Sequence, residues 1–158
     1  MTRLGFLLMV MLGLASNLVV PAPAAAQDVA GVTGAAEAAF PNGAAFNGIP
    51  LRGLTLGQGL FIGQDGSATG QFQAVLQGTS PLGAAQNITV EGEVRGGSVG
   101  ADGSATFSGS ATVDMGDGTL PLPGVPFTVT LSAGSLGLIL NAVALPTATV
   151  TAGSITVK

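Results

Sequence analysis

From about Leu51 onward, hydrophobic and polar residues alternate with a period of two. In "QFQAVLQ", Phe72, Ala74 and Leu76 share one face, while Gln71, Gln73 and Gln77 share the other. "NITVEGEVR" sets Ile88, Val90 and Val94 opposite Asn87, Thr89, Glu91, Glu93 and Arg95. The longest strict run is "SATFSGSATVDM", in which Ala105, Phe107, Gly109, Ala111, Val113 and Met115 alternate with hydroxyl residues and Asp114. "FTVTLS" repeats the pattern with Phe127, Val129 and Leu131, and "ATVTAGSITVK" gives two short alternating pieces around "AGS". Strict alternation gives each strand one buried and one wetted face, the antiparallel arrangement. With glycine-bearing turns between the runs and no amphipathic helix, the pattern predicts a single all-β domain. It is expected to be an antiparallel β-sandwich or small β-barrel of roughly seven to nine strands.

Two segments break the alternation. "MGDGTLPLPGVPF" carries Pro121, Pro123 and Pro126, each without a backbone donor. It therefore reads as an extended connection crossing between parts of the sheet, as in a Greek key, and not as a central strand. Residues 27–50 are dense in Ala and Gly and lack sustained periodicity, so they read as a leader or linker before a domain spanning 51–158. A first edge strand around Phe46 to Leu51 is the other reading of that stretch.

The first 26 residues change the setting. Arg3 precedes an apolar run from Leu4 to Val20, and Ala24-Ala25-Ala26 forms a small-residue cleavage site. This is the layout of a secretory signal peptide, with a bacterial cast, and it predicts a secreted or periplasmic protein. Cleavage after Ala26 leaves 132 of the 158 residues, enough for one domain with its own core. No apolar stretch in the remainder is long enough for a transmembrane helix, since "LGLILNAVAL" is short and interrupted by Asn141. An outer-membrane barrel fits poorly without Tyr or Trp to form its aromatic girdles.

Composition removes most chemistry. The mature chain has three basic residues (Arg52, Arg95, Lys158) against eight acidic ones, so a phosphate backbone would be repelled and no nucleic-acid partner is expected. There is no Cys, and with it go disulfides, thiolate catalysis and thiolate metal sites. There is no His, the commonest general base and transition-metal ligand. No Trp or Tyr is present to stack on sugars or bases.

What remains is thin. "DGSAT" occurs at Asp65–Thr69 and again at Asp102–Thr106, each time between alternating runs. One carboxylate per loop is too few for a calcium loop, so both copies read as hairpin turns. Asp114 and Asp117 bracket Gly116, and with Asp102 from a neighbouring turn they form the calcium candidate, set against the plainer reading of acids facing water. Glu91 and Glu93 lie roughly 6.5–7 Å apart along one strand face, a spacing found in inverting glycoside hydrolysis. Without aromatic sugar platforms they read as an exposed charged stripe. "SAGSLG" and "TAGSIT" do not form a nucleophile elbow, and no His exists to activate their serines.

The sequence thus predicts no enzyme and no cofactor. It predicts an exported structural or protein-interaction module whose unpaired, Thr- and Ser-rich edges add a strand from a protein partner or from a second copy. The rival is a barrel that holds a small apolar, lipid-like ligand against Phe72, Leu76, Phe107, Val113, Phe127 and Leu131. The run "DGSATFSGSATVDMGDGTLPLPGVPFTVT" resembles exported bacterial proteins without assigned activity, and that resemblance implies none.

Overall fold

The structure, a computed structural model, describes residues 29–158, so the expected signal peptide lies outside the described residues. Ten strands form: β1 (Val29–Ala39), β2 (Ala45–Phe46), β3 (Ile49–Gly63), β4 (Ser67–Thr79), β5 (Ala85–Val99), β6 (Ala105–Asp114), β7 (Leu122–Ser132), β8 (Ser135–Leu140), β9 (Val143–Ala144) and β10 (Ala148–Val157). Pairing runs β1-β10-β8-β7-β6-β5-β4-β3, and β1 also pairs with β3, so eight strands close a ring. Every pairing is antiparallel. The sandwich-or-barrel expectation thereby resolves to a barrel-like meander from β3 to β8, with β1 inserted between β3 and β10.

Residues 29–50 differ from the expected leader. They supply β1, β2 and the start of β3, and β1 pairs with β3 over eleven residues from Val29↔Gly63 to Ala39↔Gly53. Its inward positions are Val32, Gly34 and Ala36, too small to mark a hydropathy period but suited to a crowded wall. Phe40, Phe46 and Ile49 are buried around the β2–β3 hairpin, which turns on Asn47 and Gly48, both at positive φ.

The proline-rich segment also departs from expectation: it makes no crossing, and from Leu122 it is strand, the first half of β7, paired with β6 alone as far as Pro126. Residues 115–121 join β6 to its ladder neighbour β7. Pro123 falls at an irregularity between the Ala111↔Val125 and Val113↔Leu122 pairs, so its missing donor interrupts no regular ladder position. Pro126 faces the end of β8, where its carbonyl accepts from Asn141 N–H at 2.9 Å.

The alternating residues face as their period requires. Inward side chains from all eight ring strands form one core cluster, and Ile88, Val90, Phe107 and Val129 retain no accessible surface. At its centre Phe72 stacks on Phe127 (centroids 5.2 Å apart, 21° between planes), and Phe107 meets Phe72 edge-on at 5.8 Å. Such ring pairs contribute about 0.5–1.5 kcal/mol each beyond area burial. Phe127 fits because Gly92 faces it: a Cβ there would stand 2.5 Å from the Phe127 ring. Large residues opposite small ones fill the taper of a narrow barrel.

Gln58 breaks the apolar lining. It is 9% exposed, sits inward on β3 opposite Phe72, and neither amide atom has a hydrogen-bond partner.

Candidate functional site

The meander puts alternate connections at opposite ends. The β3/β4, β5/β6 and β7/β8 turns lie at one end, called upper here, with the start of β1 and the end of β10. Both "DGSAT" copies are therefore at the upper end, and Gly97 N–H on β5 donates to the Gly66 carbonyl at 3.0 Å.

In each copy the aspartate organises the turn. Asp65 Oδ1 accepts from Ser67 N–H (3.0 Å) and Ser67 Oγ–H (2.6 Å), and Asp102 does the same with Ser104 at 3.0 and 2.6 Å. Asp117 repeats the device with Thr119 at 2.9 and 2.6 Å. The hydroxyl donor first, and the backbone donor next, hold all three carboxyls below the ordinary carboxylate value. The hairpin reading of the repeat holds, with the side chain bridging the turn.

The three aspartates of the calcium candidate do not come together. Asp102 precedes β6 at the upper end, whereas Asp114 closes β6 and Asp117 follows it at the lower end. The ten-residue strand between them spans about 30 Å at roughly 3.3 Å per residue. Spacing along the chain suggested proximity; the extended backbone separates them. Asp114 instead accepts from Gly116 N–H at 2.8 Å. Among the described residues, no group of three or more His, Cys, Asp or Glu side chains is arranged to hold a metal ion.

Glu91 and Glu93 face outward on β5, as expected of a charged stripe. With Gln71, Gln73 and Arg95 they line an open depression of about 690 Å³ on the barrel wall, where Gln73 Nε2 donates to Glu91 Oε1 at 3.2 Å. This surface can hydrogen-bond, with Thr112 and Ser110 directly across from Glu91 and Glu93, but the chain has no His to activate a hydroxyl, and the aromatic ring in the lining, Phe72, is buried. Phe72, Leu76, Phe107, Val113, Phe127 and Leu131, named as a ligand lining, are buried in the one core cluster.

The feature that stands out is the upper half of β10. On one side it is fully paired with β1: Gly31 N–H donates to the Lys158 carbonyl at 2.8 Å, and Lys158 N–H returns a bond at 3.0 Å. In an antiparallel ladder such doubly bonded pairs recur every second residue. Thr156 and Ser154 therefore also direct their backbone groups at β1, and Val157, Ile155 and Gly153 direct theirs the other way. On that other side β8 reaches β10 only at Leu136↔Ala148 and Ser135↔Thr149, followed by one bond from Val150 N–H to the Gly134 carbonyl at 2.9 Å. Above Val150 no strand pairs with this edge.

The unpaired edge borders a recess of about 580 Å³ between β10, the β7/β8 turn and the β5/β6 turn. Its apolar lining includes Leu131, Val150, Ile155 and Val157, the last three only half-buried, with Asp102 and Lys158 also contributing. Gly153, at φ +86°, permits the kink that begins this segment: a Cβ there would lie 2.3 Å from the Ala35 carbonyl oxygen. The alternation around "AGS" marked this stretch as strand. Its lack of a partner is a property of the topology and leaves no mark in the local sequence.

No known family model, curated protein or solved structure matches the chain. Fold and site define a ring-closing antiparallel meander with a side-chain-filled core, a largely polar outer wall and an upper β10 edge that lacks a strand partner.

Proposed function

We propose that this chain is an exported, non-catalytic β-barrel that works as a protein-interaction module. The observation that carries this reading is the unpartnered upper edge of β10, where Gly153, Ile155 and Val157 leave backbone donors and acceptors unpaired beside an apolar recess. A barrel abolishes strand edges, and an edge that survives is a site for another chain to pair with. The outer wall supports an aqueous setting: Gln71, Gln73, Gln77, Glu91, Glu93 and Thr112 are outward and exposed, the reverse of a lipid-facing barrel. The absence of Cys and His from the whole sequence supports a role without catalysis.

The test is chemical crosslinking in the producing cell, with sedimentation of the purified mature chain. A crosslinked partner chain or a defined oligomer is the expected result. A monomer that recovers no partner would overturn the reading.

A further inference from the structure

Resting on the interaction-module reading, we infer that the partner binds as an extended polypeptide segment, adding a strand to β10 between its upper edge and the β7/β8 turn. Three features of the edge specify this occupant. Gly153, Ile155 and Val157 present N–H and C=O groups at two-residue intervals, a step of roughly 6.6–6.8 Å that a second extended backbone matches. The added strand would continue the line of β8, which stops at Ser135, and would run antiparallel to β10 as β8 does. The side chains beside these backbone groups, Ile155 and Val157, point inward, since their β1 partners are Gly34 and the fully buried Val32.

The segment is thereby described chemically. It has about five residues in contact, set by the span from Gly153 to Val157. Apolar side chains at alternate positions would lie over Leu131, Ile155 and Val157, and polar ones would face outward beside Ser154 and Thr156. No proline would stand where its N–H must meet β10. A second copy of the barrel is the alternative occupant, and the test separates the two.

The test uses the mature chain, labelled with ¹⁵N, and a capped seven-residue peptide of alternating Val and Thr. Amide exchange reads the edge directly: in the free protein Gly153, Ile155 and Val157 exchange fast, while Ser154 and Thr156 are protected by β1. Millimolar peptide is expected to slow exchange at the first three and leave the last two unchanged. Ile155→Pro removes a donor from the open edge without touching the β1 ladder, so it is expected to fold and to bind the peptide about tenfold more weakly. Val157→Pro makes the same deletion at a second site, should the first variant fail to fold. Absence of protection at millimolar peptide would overturn the inference, as would unchanged affinity in both proline variants. Protection of the same amides by dimerisation of the chain alone would overturn it in favour of a second copy. A crosslinked partner that binds the proline variants undiminished would sink strand addition and leave the interaction module standing.

Discussion

Two buried glutamines, one partnered and one not, predict opposite responses to the same substitution. Gln58 is 9% exposed with both amide atoms unbonded, whereas Gln86 is 7% exposed and donates from Nε2 to the Met115 carbonyl at 2.9 Å. A buried polar group without a partner costs about 1–3 kcal/mol, and a satisfied one contributes about 1 kcal/mol net. Methionine keeps the unbranched length of glutamine and adapts to irregular gaps. Gln58→Met is therefore expected to stabilise the fold by about 1–2 kcal/mol, and Gln86→Met to destabilise it by about 1 kcal/mol. For a domain of this size each kcal/mol corresponds to roughly 3–5 °C in Tm. The chain has neither Trp nor Tyr, so urea unfolding is followed by far-ultraviolet circular dichroism, with both midpoints compared at constant slope. Gln71→Met, on the exposed outer face of the neighbouring strand, is the control and should move stability by less than about 0.5 kcal/mol. A Gln58→Met variant less stable than the parent would refute the reasoning, because it would mean that the amide is bonded in the native protein.

The remaining predictions concern the backbone, the core and the turns. Ala142 sits at φ +65° in the β8–β9 turn, so Ala142→Gly is expected to raise stability by about 1 kcal/mol in the same urea assay. Gly92→Ala drives a methyl group into Phe127 and is expected to cost about 1–3 kcal/mol, with loss of ring-current-shifted aromatic resonances. Asp65, Asp102 and Asp117 have lowered folded pKa values, so their contribution is present above the ordinary value of 3.8 and disappears as pH falls through the lowered ones. Removing the hydroxyl donor in Ser104→Ala should return Asp102 towards 3.8 in a carboxyl NMR titration, with Asp65 as the unmoved reference.

The sequence made β4 to β6 and the second half of β7 legible because large inward residues such as Phe72, Val90, Phe107 and Leu131 contrast with Gln, Glu and Thr outward, while the prolines masked the first half of β7. β1 was opaque for the opposite reason: Gly34 and Ala36 face inward and differ little in hydropathy from the Ala and Gly around them. Ring closure was equally hidden, since β1 meets β3 and β10 through backbone bonds that no side-chain pattern encodes. The same limit applies to the candidate site. Thr and Ser on an edge strand can be read from "TAGSITVK", but that this strand outruns its neighbour above Val150 depends on the short length of β8. Asp102 and Asp114 misled in the other direction, because closeness in sequence along a strand means distance in space.

The pairing of the first strand with the last has a kinetic consequence. Val32 meets Val157 at a sequence separation of 125 residues, so ring closure carries a high contact order and waits until β10 is free. β1 can form its ladder with β3 early, but its other edge stays open meanwhile. For the exported chain proposed here, threading amino terminus first would keep the barrel from completing while any part of β10 remained behind. The insertion of β1 beside β10 would thus hold back ring closure until β10 itself had crossed.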